Sequence, residues 1–178
     1  MALRFAILAS LASKSQTGYE IAREFDAAVG HFWQATHQQI YRELSKLSED
    51  SAVVFEQIQQ VSKPAKKRYQ ITATGRSALT EWLALPTPAA PVRDPLLVKL
   101  SAAYLANKTV ITEELRRHQI LYRNRLKEFR SIESRHFSAK RKLTTKGQYL
   151  YFTLRRGITS AEAWLTWADE VLEYLSNS

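Results

Sequence analysis

Gln38, Tyr41, Arg42 and Ser45 recur at i, i+3, i+4 and i+7, the spacing that brings side chains to one face of an α-helix. Their chemistry is that of groups that bond the edges of nucleic-acid bases. An arginine fork matches the two acceptors of guanine, a glutamine amide matches adenine, and a tyrosine reaches a phosphate or packs on a thymine methyl. Lys46 lies at the rim of this face, either as a phosphate contact or as a spectator. A cationic cluster follows, Lys63, Lys66, Lys67 and Arg68. It would touch phosphates or a minor groove, and would make binding salt-dependent rather than sequence-selective. The plainer alternatives are a solvated helix face and a solubilising hairpin tip.

The elements that must hold these residues can be read around them. Thr36 and Gln39 have the spacing of a capping box, which opens the helix and places both at the start of the same candidate DNA surface. Ile40, Leu44 and Leu47 form the inward stripe of that helix. Residues 52 to 59 alternate and are β-branched, as a strand does. A turn with Pro64 and a return strand from Lys67 to Thr72 complete a hairpin, with Tyr69 and Ile71 on one face. A further helix begins near Thr74, with Leu79, Trp82 and Leu83 apolar. Upstream, Leu3, Ile7, Leu8 and Leu11 share a helical face within residues 2 to 13. Thr17 and Glu20 form another capping box, and the helix they open runs to about Gly30 with Ile21 and Phe25 inward. Capped helix, basic hairpin and helix in this order make a winged helix-turn-helix, whose middle helix enters the DNA major groove.

Pro86, Pro88 and Pro91, three prolines within six residues, mark a semi-rigid linker. The expected organisation is a winged-helix domain over residues 1–86, a linker over 87–92 and a helical domain over 93–178. Asp94 and Pro95 suit the cap and first turn of a helix reaching about Ala106. A long helix from about Ile111 to His136 carries Ile111, Leu115, His118, Tyr122, Leu126, Phe129 and Ile132 at steps of three or four. A last helix spans about Thr145 to Leu175. Helices of roughly 40 Å, at ~1.5 Å per residue, cannot bury their apolar faces on so small a domain. Pairing with a second copy solves this. The expected fold is mainly α with a small β-hairpin wing, followed by an antiparallel helical dimerisation domain.

The chain has 178 residues and a net charge of +9. The surplus is uneven: through Pro86 there are ten Lys and Arg against eight Asp and Glu, and from Thr87 onward sixteen against nine. Bulk charge therefore says little about the winged-helix part, and the local pattern carries the case. There is no cysteine, which excludes disulfides and thiolate metal sites and fits a reducing cytoplasm. No run approaches the ~18 apolar residues of a membrane span. The apolar start is broken by Arg4 and reads as a first helix rather than a signal peptide. His31, His37, His118 and His136 lack zinc-site spacing, and no phosphate loop or nucleophile motif occurs. Neither a metal, a cofactor nor an enzymatic activity is expected.

Taken together, these residues resemble the PadR family of bacterial transcriptional regulators over nearly the whole length. The resemblance rests on Gly18-Tyr-Glu-Ile21, Gly30-His-Phe-Trp33, Gln39-Ile-Tyr-Arg-Glu-Leu44 with Leu47, and Tyr69-Gln-Ile-Thr72 with Gly75, Leu79 and Trp82-Leu83. Arg93-Asp94, Leu96, Leu97, Lys99-Leu100 and Trp164 extend it. It implies a homodimer that binds double-stranded DNA and represses nearby promoters, with the long C-terminal region of the larger subgroup. It also implies an effector: Trp33, Tyr104, Tyr122, Trp164 and Trp167 would line a pocket for a small aromatic compound, or else pack the dimer. An activator of the same fold, or a protein-interaction adaptor without DNA binding, is the alternative. Members often carry a glycine between the middle helix and the wing. Here the segment is Glu49-Asp-Ser-Ala52, so the turn must be made without one.

Overall fold

The computed structural model describes residues 2–25, 35–59, 66–89, 91, 93–137 and 143–177. The chain divides into two compact units, Met1–Ala89 and Ala90–Ser178.

In the first unit, α1 (Ala2–Leu11), α2 (Gly18–Glu24), α3 (His37–Glu49) and α4 (Ala73–Ala84) surround a three-stranded antiparallel sheet. Thr17 and Thr36 close complete capping boxes with Glu20 and Gln39, which is why α2 and α3 begin where they do. The strands are β1 (Gln16–Thr17), β2 (Val53–Ile58) and β3 (Lys66–Ile71), in the order β1-β3-β2. The β2–β3 register sets Phe55 opposite Tyr69 and Glu56 opposite Arg68. The expected hairpin thus gains a third strand, because Gln16 and Thr17 pair with Tyr69 and Arg68 before the chain turns into α2. The core is built from Ile7, Leu8 and Leu11 of α1, Ile21 and Phe25 around α2, and Ile40, Leu44 and Leu47 of α3, all at most 2% exposed. Truncating a fully buried leucine in such a core costs about 2–5 kcal/mol. The stripe that seats α3 is therefore worth more than any surface contact of that helix.

The link from α3 to the wing is short and tightly bonded. Asp50 caps α3, Ser51 takes φ 55°, and the Ala52 and Ser51 amides donate to the carbonyls of Leu47 and Ser48. This is a Schellman closure with serine where glycine is usual. Thr72 then joins the turn to α4. Its hydroxyl donates to the Ser51 and Ala52 carbonyls at 2.8 and 3.0 Å and accepts from the Gly75 amide. Gly75 is required by close approach, since a Cβ there would lie 2.1 Å from the Ala52 carbonyl oxygen. α1 braces the unit: Phe5 stacks on Trp82 at 4.6 Å, and Arg4 pairs with Asp50 at 2.9 Å. Leu83, expected to be apolar packing, is 68% exposed.

The second unit is an antiparallel helical hairpin of α6 (Lys108–His136) and α7 (Thr145–Asn177), preceded by α5 (Pro95–Ser101). The antiparallel sense follows from the contacts: Phe137 meets Tyr151, Arg130 meets Glu162, and Gln119 meets Asp169. α5 does not reach Ala106 as expected. It stops at Ser101, a 3-10 turn spans Ala103–Leu105, and Asn107 caps α6. The break lets Ala103 fold back onto the small core of Leu96, Ile111 and Leu115. Gln119, 5% exposed, interrupts the apolar seam of α6 and satisfies its amide on Asp169 at 2.6 Å.

Candidate nucleic-acid interface

The proposed reading face occupies the exposed side of α3. Ile40, Leu44 and Leu47 are fully buried, and Gln38, Tyr41, Arg42, Ser45 and Lys46 all point outward. The face exists because the apolar stripe faces the core and leaves these positions outside. Their side chains are not equally free. Thr36 and Gln39 are engaged with each other, the Thr36 amide donating to Gln39 Oε1 at 2.8 Å and the Gln39 amide to Thr36 Oγ1 at 3.2 Å. Their polar atoms begin the helix before they meet any ligand. The Ser45 hydroxyl donates to the Tyr41 carbonyl at 3.2 Å, which leaves its lone pairs as acceptors toward a base or phosphate.

The wing cations separate into distinct settings. Lys63 lies outside the described residues, as does Trp33. Lys66 and Lys67 are exposed on β3, and the Lys67 ammonium sits over the Phe55 ring at 4.2 Å. Phe55 in turn packs obliquely on Tyr69 at 5.6 Å. Arg68 departs from the expectation of a free basic tip. It is half-buried, stands across the ladder from Glu56 at 4.0 Å, and contributes to holding Glu20 ionised. A paired arginine is a weaker phosphate partner than a free lysine, because breaking its existing contacts offsets part of the gain.

Glu20 is held below the usual carboxylate range, first by the Thr17 backbone N–H, then by the Thr17 hydroxyl, against burial, with Arg68 and Lys14 adding to it. Sequence reasoning missed one group nearby. Gln16 is 2% exposed; its carbonyl accepts from Ser10 at 2.7 Å and its amide donates to Glu24 at 2.5 Å. This chain of hydrogen bonds ties α1, β1 and α2 together. A two-residue strand has no periodicity to announce it, so only the pairing with β3 makes Gln16 visible.

Of the four candidate pocket residues in the helical unit, Tyr104, Tyr122, Trp164 and Trp167, three converge. Tyr122 stacks flat on Trp164, with centroids 4.0 Å apart and planes 2° from parallel, and Trp167 meets Trp164 edge-on at 5.7 Å. His118 also stacks on Trp164, with centroids 6.0 Å apart. Tyr104 does not join them: it is 83% exposed. Its position beyond the end of α5 follows from the break at Ala102, which turns the segment away from the helical path the sequence implied.

Two family models match the chain, the transcriptional regulator PadR-like family over residues 7–81 and the virulence activator alpha C-terminal region over residues 92–176. The probable transcriptional regulator Rv1176c of Mycobacterium tuberculosis is 36% identical, covering 98% of both chains. The Vibrio cholerae virulence activator AphA is similar in structure, with a TM-score of 0.82 at 35% identity over 98% of each chain. The negative transcriptional regulator PadR of Bacillus subtilis is 37% identical over 98 residues, 54% of each chain. Its structure in complex with operator DNA matches with a TM-score of 0.85 at 25% identity, covering 98% of this chain and 99% of that one.

Proposed function

This chain belongs to the PadR-like family of transcriptional regulators, and from that premise we propose that it is a cytoplasmic, homodimeric, sequence-specific DNA-binding repressor. Residues 1–86 form its DNA-binding domain, residues 87–92 its linker and residues 93–178 its dimerisation domain. The observation that carries the reading is the outward face of α3. Gln38, Arg42 and Ser45 stand together there with base-reading chemistry, beside a wing strand with two exposed lysines. Two copies related by a two-fold axis would set their α3 helices in successive major grooves, about 34 Å apart, so the operator is a pseudo-palindrome. Bound across a promoter, the dimer excludes polymerase.

The helical unit supports the dimer through what it leaves uncovered. Leu121, Val110, Phe152 and Tyr149 are each more than half exposed on α6 and α7. Such apolar surface marks an interaction site. The stack of Tyr122, Trp164 and Trp167 offers flat apolar walls to a small aromatic effector, whose binding would shift the spacing of the two reading helices.

A second reading, an activator, is favoured by one observation: the C-terminal half matches a virulence-activator family model, and AphA is similar over the full length. Repression and activation share the same DNA contact and differ in where the operator lies relative to the promoter.

The double variant Arg42→Ala with Lys66→Ala separates a DNA reader from an adaptor. Loss of a bidentate base contact is worth about 1–3 kcal/mol, and loss of a phosphate contact lowers the salt dependence by about one ion. Specific affinity should therefore fall by a factor of about ten or more in a binding titration, with the dimer intact by light scattering. Unchanged specific binding would remove α3 and the wing as the reading surface.

A further inference from the structure

Tyr41 shares the exposed side of α3 with Gln38, Arg42 and Ser45, yet one side of its ring is occupied. A Cβ built on Gly18 would lie 2.3 Å from Tyr41 Cε1, 3.0 Å from Cδ1 and 3.1 Å from Cζ. Carbon atoms in good contact sit about 3.5–4.0 Å apart. The ring therefore lies against the α-carbon of Gly18, in the volume that any other residue would fill. No described glycine has positive φ, so the backbone at residue 18 suits an ordinary residue. Glycine is needed there for room.

Three further observations bear on what this contact does. Gly18 is the first residue of α2, whose start is held by the Thr17–Glu20 box; the surface under the ring is therefore itself well anchored. Tyr41 is 44% exposed, so the seat leaves much of the side chain available. Tyr69 of β3, 6% exposed, is close enough for Tyr41 to help raise its phenol above the usual value, after the larger effect of burial. The ring of Tyr41 thus lies where α2 meets α3.

We propose that Gly18 is a positioning residue for DNA reading: it leaves the space in which Tyr41 is seated across the α2–α3 gap, so that the ring meets a thymine methyl without searching rotamers. The inference rests on α3 being the reading helix. A side chain held in place before binding loses less freedom on contact, and such ordering strengthens binding by about two- to twelvefold for a mobile side chain. With any larger residue at position 18 the ring must swing out, and α3 loses this contact with α2.

The test uses the full chain and a promoter fragment on which wild type forms a competitor-resistant complex. Gly18→Ala, Tyr41→Ala and Gly18→Ala/Tyr41→Ala are titrated on that fragment and on non-specific DNA, and each is melted. Gly18→Ala should weaken specific binding about tenfold while non-specific binding stays within twofold. Tyr41→Ala should weaken it similarly. In the Tyr41→Ala background, Gly18→Ala should have little further effect, because the ring it displaces is gone. Wild-type specificity in Gly18→Ala or in Tyr41→Ala overturns the proposal, as does an undiminished Gly18→Ala loss in the Tyr41→Ala background. Should Gly18→Ala not fold, Tyr41→Ala alone still decides. Failure of wild type to form any competitor-resistant complex is a separate outcome: it removes the DNA-reading function, and this inference with it.

Discussion

Ser51 carries a backbone strain that its side chain does nothing to relieve. A non-glycine residue in the left-handed region costs about 1–2 kcal/mol, and Ser51 adopts it because the Schellman bonds from Ser51 and Ala52 require that turn. Its carbonyl, not its side chain, accepts from Thr72. Ser51→Gly should therefore stabilise the protein by about 0.5–1 kcal/mol, after allowing for the greater freedom of glycine in the unfolded chain. A thermal melt should show a rise of roughly 1–4 °C; an unchanged or lower Tm would mean the turn is not strained. At this scale the sequence was informative where a residue acts on its own backbone. The spacings Thr17–Glu20, Thr36–Gln39 and Asp94–Pro95 each predicted a helix start, because a cap is local chemistry. It was silent where a side chain's role is decided by a distant neighbour. Arg68 reads as a wing cation until β2 places Glu56 opposite it, Gln16 reads as a loop residue until β3 pairs with it, and nothing near Tyr41 in sequence indicates Gly18.

At the scale of elements, the helical hairpin is held by an apolar seam and by two groups of charges between its arms, Arg123 with Asp169 at 3.9 Å and a larger one around Glu133. Glu133 of α6 accepts from Arg130 at 2.7 Å and from the Tyr151 hydroxyl of α7 at 3.2 Å, with Arg155 of α7 at 3.7 Å. Its carboxyl lies below the usual range, chiefly because of the Arg130 hydrogen bond, with Arg130 charge, Tyr151 and Arg155 adding to it against the effect of burial. A lowered folded value means the stabilisation is present above the unfolded value of about 4.3 and is lost as pH falls through the folded one. Glu133→Gln should therefore be less stable than wild type at pH 7, and the gap should hold down to about pH 4.3 and close as pH falls further. Urea unfolding across that range measures it; a gap independent of pH would mean that the charge at Glu133 does not matter. The long helices were legible because their apolar steps repeat over many turns. The end of α5 was not, because Ala102 to Ala106 contain no breaker. The chain bends there to pack Ala103 on Leu96 and Ile111, a tertiary demand that overrides helical propensity. The polar Gln119 was invisible for the same reason: its partner Asp169 lies across the hairpin.

For the whole molecule, the uneven charge and the uneven burial point to a division of labour. The winged-helix unit has a well-filled core and a small charge surplus, so its recognition is a matter of which side chains face outward from α3. The helical unit has few fully buried residues and many exposed apolar ones, which a second copy would cover. Among the described residues, no helix is long and apolar enough to cross a membrane. The central claim, a dimer that reads a specific operator, is tested most directly by a mobility-shift titration of the full chain on the promoter of its own gene. The titration is run at two salt concentrations with excess non-specific competitor. The account predicts a competitor-resistant complex that holds two chains per site and weakens as salt rises. Complexes on this and the neighbouring promoters that vanish with competitor would contradict it, and would leave the helical unit as the surface on which this protein acts.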